Sequence, residues 1–246
     1  HFDPWSSERR GDFRGKVVID YTQKRIVNES DKSKNLFIDY KGKTIHKITV
    51  NGKHIKNNTL TLWENHRIYI PYKNQKVGAN QVVIEFESCY VNDCQGCQYF
   101  KDDKDGSEYV YTELEPAQCH VVFPCFDQPD LKAAHKTCIV AEDDWEVITN
   151  SENINKTESN QGGPISPEFK AGLKRFGESE ASPILSQFEK GTRLRLHEFA
   201  RTKTISTYLF SFVAGPFDCL QPSAERQQEL PHIPMRLFCR KSLSQY

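Results

Sequence analysis

The chain has 246 residues, balances 33 Lys+Arg against 33 Asp+Glu, and is 37% hydrophobic, with 15 Phe, 10 Tyr and 3 Trp. That is enough apolar material for a sizeable core in one large or two small domains, and too much for a disordered chain. Zero formal charge without basic runs interleaved with aromatics argues against a nucleic-acid partner, and no apolar run nears the roughly 18 residues of a membrane-spanning helix.

In chain order, the first half alternates apolar and polar residues between turn signals. That pattern predicts strands at 16–21, 35–40, 44–50, 59–63, 67–72 and 81–89. Asn51-Gly52, between Ile48-Thr49-Val50 and Lys53-His54-Ile55, supplies the two positive φ angles of a two-residue hairpin turn. Cys94-Gln95-Gly96-Cys97 reads as a polar hairpin tip rather than a metal knuckle, because structural zinc takes four ligands and no second Cys pair accompanies it. Further strands are expected at 108–114, 119–123, 136–141, 146–149, 193–200, 206–214 and 234–239. So many short strands with few helical periods imply a mainly β fold, an antiparallel sandwich or curved sheet.

The pattern changes over 150–192. Ser166-Pro167 precedes Phe169, Leu173 and Phe176, and Ser182-Pro183 precedes Ile184, Leu185 and Phe188. Each predicts a short helix with Ser as N-cap, Pro in the first turn and Gly177 or Gly191 as the stop. The expectation is an excursion that packs its own apolar residues back on the parent sheet, rather than a dedicated interface.

Eight cysteines allow a disulfide set or reduced thiols; Cys125, Cys138 and Cys239 lie in apolar stretches of a chain that needs no staple, which favours reduced, buried thiols. Sequons at Asn28, Asn57 and Asn155 point the other way, toward secretion. The reading is therefore cytoplasmic, with an extracellular, N-glycosylated protein as the alternative. His1 opens no signal-peptide pattern and Met235 is the sole methionine, as expected of a processed or partial chain.

No G-x-S-x-G, H-E-x-x-H, phosphate-binding loop or dinucleotide glycine fingerprint occurs. His120 and His135 read as satisfied sheet or turn residues rather than ligands. The informative stretches are Tyr109 to Pro116 and Phe123 to Ala133. If the strand continues to Glu115, its period of two places Glu113 and Glu115 on one face and Leu114 on the other. Such a carboxylate pair is either a solvated strand face or a cation-binding one.

Glu113-Leu114-Glu115-Pro116, Phe123-Pro124-Cys125-Phe126-Asp127-Gln128-Pro129, Leu131-Lys132-Ala133 and Ser206 to Gly215 together resemble the N-terminal domain of M1-family zinc aminopeptidases. The resemblance implies a saddle-shaped, mostly antiparallel β-structure over 1–246, with 150–192 as an atypical insertion. It also implies a separate catalytic domain carrying zinc on H-E-x-x-H and a more distant Glu. None of that machinery is in this sequence, so this chain is expected to bind no zinc and to be inactive alone. Carried over by position, Glu115 matches the glutamate that holds the substrate's free α-amine, and Glu113 stands where the family usually has Gln. The loop from Phe123 to Pro129 reads as structural, with Asp127 bonding backbone amides of the turn ahead of Pro129. The implied partners are a peptide N-terminus and the chain's own catalytic domain. The competing reading is a non-catalytic scaffold or interaction module of a larger assembly.

Overall fold

A computed structural model describes residues 11–26, 35–55, 62–160, 164–174, 193–223 and 235–246. The expected strand at 59–63 is covered only from residue 62. Phe176, Gly177, the helix expected after Ser182-Pro183, Gly191, Pro234 and the sequons at Asn28 and Asn57 lie outside the described residues.

The N-terminal half forms two small sheets over one core. Strand β1 (Asp12–Gln23) pairs along its whole length with β7 (Gly78–Cys89), from Asp12↔Cys89 to Gln23↔Gly78. On the other edge of β7 lies β3 (Thr44–Val50), followed by β4 (Lys53–His54). The turn between them has Asn51 at φ 49° and Gly52 at φ 77°, the left-handed pair predicted from Asn-Gly. A register shift between Ile45 and Lys47 lets Ile45 and Ile48 both point inward despite their odd spacing. They meet Val82, Ile84 and Phe86 of β7. The second sheet, in the order β2 (Phe37–Asp39), β6 (Arg67–Tyr69), β5 (Trp63–Glu64), closes this core with Ile38, Tyr40, Ile68 and Ile70. Tyr40 is fully buried, and its hydroxyl donates to the Glu87 carbonyl at 2.5 Å, so its polar end is satisfied.

The other half is built on two further sheets. One runs β11 (Glu146–Thr149), β14 (Phe212–Gly215), β9 (Glu108–Glu113), β8 (Gly96–Lys101). The other runs β10 (Cys138–Glu142), β13 (Leu194–Phe199), β12 (Asn153–Glu158). A two-stranded ribbon of β15 (Phe217–Leu220) and β16 (Leu237–Arg240) completes the described strands. All pairings between these strands are antiparallel, as expected of a mainly β fold. Among the described residues no helix is long and apolar enough to cross a membrane.

Several elements differ from expectation. Residues 119–123 form no strand: α1 (Cys119–Val122) is a single helical turn that buries Cys119 and Val122, three apart on one face. The predicted strand at 206–214 begins with a 3-10 turn at Thr207–Leu209, and only its second half joins a sheet. Strands β8 and β15 were not anticipated; β8 buries three successive residues, so alternation could not reveal it. Within 150–192, β12 is an additional strand whose polar sequence is held by backbone pairing to β13. The first expected helix there is present as α2 (Pro167–Leu173), with Ser166 Oγ accepting from Phe169 N at 3.1 Å and Pro in the first turn. Phe169 and Leu173 pack on Leu194 and Leu196 of β13 as a third core. That part of the excursion folds back on the parent sheet.

Candidate functional site

Strand β9 lies between β14 and β8, with Val213↔Tyr111 on one side and Gly96↔Glu113 on the other. Its alternation extends past the last paired residue. Val110 and Leu114 are buried, whereas Tyr111, Glu113 and Glu115 are exposed. Both carboxylates therefore face outward on the rim of the sheet, with Leu114 anchoring the backbone between them in the second core. After Glu113 the chain leaves the ladder through a turn closed by Gln118 N donating to the Leu114 carbonyl at 2.8 Å; within it the Glu115–Pro116 peptide is cis. Thr112 Oγ1 accepts from Phe212 N at 3.0 Å, which fixes the strand just before the pair.

The segment from Phe123 to Pro129 joins the two halves. Cys125 and Asp39 exchange backbone hydrogen bonds of 2.8 and 3.1 Å, tying the loop to β2. The rings of Phe13 and Phe123 contribute to both the first and the second core. Asp127 bonds differently from the expectation. Its Oδ2 accepts from the backbone N of His120 at 3.1 Å and from His120 Nδ1 at 2.7 Å, and its Oδ1 accepts from Thr207 Oγ1 at 2.8 Å. It thus pins the turn α1, which precedes the loop, and the 3-10 turn before β14, instead of the amides ahead of Pro129. That is the physical reason 119–123 coils: a buried carboxylate satisfies the His120 amide, which a ladder would otherwise pair. Burial works to raise the Asp127 carboxyl, but the hydrogen bonds from His120 and Thr207 hold it below its ordinary range. Asp39, by contrast, is raised by burial. The loop is structural, as the sequence implied.

His120 is satisfied by Asp127, in line with the sequence reading. His135 is only partly so. Its backbone N donates to Thr202 Oγ1 at 2.9 Å, but its ring lies against Phe123 and Phe210 and its Nε2 has no partner among the described residues. Burial lowers its pKa. The Cys94-to-Cys97 segment is a turn, with Cys94 at φ 60° and Gly96 at φ 108°, leading into β8. Cys94 is exposed and Cys97 is buried in the second core. None of the eight cysteines is disulfide-bonded.

One arrangement escaped the sequence reading. Ligand atoms of Cys119, Cys125 and Asp127 lie within 4.8 Å of one another, with both thiols buried. In the sequence Cys125 lies in an apolar stretch, and nothing in its spacing from Cys119 signals convergence. Burial, and then the hydrogen bond with Cys119, pushes its pKa up.

The sole His-Glu pair, His197-Glu198, continues to Arg201 where H-E-x-x-H needs histidine, and it lies on a strand. The H-E-x-x-H motif of an M1 catalytic domain does not occur in this sequence.

The chain is 27% identical over 210 residues to aminopeptidase N of Streptomyces lividans, covering 85% of this chain and 20% of that protein. It is 30% identical over 156 residues to probable M1 family aminopeptidase 2 of Encephalitozoon cuniculi, 63% of this chain and 14% of that one. Leukotriene A-4 hydrolase of Xenopus laevis is 23% identical over 131 residues, 49% of this chain and 21% of that one. The chain spans about a fifth or less of the length of these relatives. The sequence model of the Peptidase M1 N-terminal domain matches residues 7–174, more than half of the chain, and the chain belongs to that family.

Proposed function

We propose that this chain is the domain of a zinc aminopeptidase that holds the substrate's N-terminus, with Glu115 accepting from the α-ammonium group while zinc and the general base reside on the family's catalytic domain. The observation that carries this reading is the rim formed by Glu113 and Glu115, exposed on either side of buried Leu114. A carboxylate presented this way makes a charge-assisted hydrogen bond to an ammonium once a second domain covers the rim and excludes water. Holding the free amine in one place restricts cleavage to the first peptide bond. Glu113 adds a second negative charge beside the first substrate residue and favours a basic side chain there. Eight unbridged cysteines support a reducing compartment, hence cytoplasm.

The test uses the protein joined to its zinc domain and a panel of aminoacyl fluorogenic substrates. Glu115→Ala removes a hydrogen bond to a charged group, about 1.5–3 kcal/mol, and lowers kcat/KM roughly ten- to a hundred-fold with the melting temperature unchanged. Glu113→Gln weakens the preference for N-terminal Arg or Lys over Leu. Full activity in Glu115→Ala removes the anchor assignment, and an unaltered substrate ranking in Glu113→Gln leaves that residue a solvated strand carboxylate.

A further inference from the structure

We propose that Tyr111 sets the specificity of the substrate's first residue, making N-terminal arginine preferred over lysine: its exposed ring carries the guanidinium while Glu113 accepts from the guanidinium's edge. This inference rests on the amine-anchor reading of Glu115 and deepens it, because it names the substrate class and adds a residue that the family resemblance does not supply.

The outward face of β9 carries more than two carboxylates. The period of two that places Glu113 and Glu115 on that face places Tyr109 and Tyr111 there as well. Tyr109 is 2% exposed, with its ring 4.9 Å from that of Phe217 on β15, whereas Tyr111 is 40% exposed. The open strip therefore begins at Tyr111 and runs through Glu113 to Glu115. Among the described residues none of these three side chains has a hydrogen bond, an ion pair or a ring partner. The flanks of Tyr111 are fixed: Val213 of β14 and Gln98 of β8 lie directly opposite it. Gln98 is 3% exposed, and its Oε1 accepts from Cys94 N at 3.2 Å, which ties the turn at 94–97 to that side of the strip.

Successive same-face positions on a strand stand about 7 Å apart, close to the reach of an extended arginine or lysine side chain. With the α-ammonium on Glu115, a first side chain that runs back along the strip passes Glu113 and ends over the Tyr111 ring. A guanidinium is planar and weakly hydrated, so it lies flat on a phenol ring while its edge donates to a carboxylate. An ammonium is a compact, strongly hydrated charge that loses more on leaving water and does not stack. The same face already holds one guanidinium in this way. Phe100 lies opposite Tyr109, one step along from the Gln98–Tyr111 pair, and the Arg240 guanidinium sits 4.8 Å from the Phe100 ring centroid while donating to Asp102 at 3.1 Å. Tyr111 and Glu113 repeat that combination of ring and carboxylate, with no cation on either among the described residues.

The experiment uses the protein joined to its zinc domain and measures kcat/KM for Arg, Lys and Leu fluorogenic substrates in the wild type, Tyr111→Leu, Tyr111→Phe and Glu115→Ala, each checked for an unchanged melting temperature. The wild type should cleave Arg faster than Lys. Tyr111→Leu keeps apolar bulk but removes the ring; it should lower Arg roughly three- to thirty-fold, the range of a cation–π contact from exposed to desolvated, lower Lys less, and leave Leu within about twofold. Tyr111→Phe keeps the ring and should preserve the Arg-to-Lys ratio, and Glu115→Ala should lower all three substrates alike. If Glu115→Ala does so while Tyr111→Leu leaves the Arg-to-Lys ratio unchanged or lowers the three substrates equally, the Tyr111 assignment is overturned and the amine anchor stands. A wild type that cleaves Lys as fast as Arg overturns it too. Full activity in Glu115→Ala removes the amine anchor, and this assignment with it.

Discussion

His197 stands on the central strand β13 with its ring fully buried and stacked on Phe199. Asn153 Nδ2 donates to Nδ1 at 3.2 Å, and the ring proton therefore sits on Nε2, which has no partner among the described residues. Burial, aided by Lys156 and Arg195 against Glu146, lowers its pKa from 6.5 to about 4. A histidine whose folded value lies below its unfolded one binds fewer protons when folded. Its contribution to stability is complete above about 6.5, falls as the pH drops from there toward about 4, and then levels. We expect urea unfolding of the wild type to weaken more steeply across that window than His197→Phe, which keeps a stacked ring but cannot titrate. Parallel profiles would refute the assignment. Asp127 gives a second prediction at this scale. Asp127→Ala leaves the His120 amide, its imidazole and the Thr207 hydroxyl without their acceptor. The substitution should cost about 3 kcal/mol or more, since each buried donor left unpaired costs about 1–3 kcal/mol. A loss below 1 kcal/mol would show that water replaces the carboxylate.

Helix α2 shows how an element's intrinsic preference is overruled by what it packs against. Gly172 is buried near its C-terminal end, and a Cβ there would fall 2.3 Å from Leu196 Cδ2, itself fully buried in the third core. Propensity alone predicts that Gly172→Ala stabilises the helix by about 1 kcal/mol. Overpacking costs about 1–3 kcal/mol, so the net effect expected in thermal melts is destabilisation. A raised melting temperature would mean that Leu196 yields freely. At the other end, Ser166 Oγ accepts from Phe169 N and donates to the Glu158 carbonyl at 3.0 Å, joining α2 to β12. Ser166→Ala should therefore cost about 1–2 kcal/mol, the upper part of the N-cap range.

At the scale of the molecule, the excursion at 150–192 tests whether the third core belongs to the domain. Strand β12 covers one edge of β13, while Phe169 and Leu173, almost fully buried, cover Leu194 and Leu196. Removing 150–192 exposes that face and should lower the melting temperature; Phe169→Ala alone should cost about 3–5 kcal/mol. A melt unchanged by the deletion would assign the segment to an external partner instead.

Local chemistry is what the sequence could declare. The Asn51-Gly52 hairpin, the Ser166-Pro167 helix start, strand 44–50 and the alternation through Leu114 each depend on a few neighbouring residues, and each stands where the pattern put it. The exposure of Glu113 and Glu115 around buried Leu114 was legible for the same reason, since period-two alternation needs no tertiary information, whereas their reading as an amine anchor comes from the family resemblance alone. Elements whose backbone partners are distant in sequence were not legible. Strand β8 buries neighbours on both faces, β12 is polar and formed by pairing with β13, and 119–122 coils because a carboxylate seven residues beyond His120 takes its amide. The convergence of Cys119, Cys125 and Asp127 is likewise a product of the tertiary structure. The bridge from Cys125 to Asp39 and the hydrogen bond from Thr207 bring together groups that no periodicity relates, because folding satisfies buried polar atoms with whatever the chain's closure places beside them.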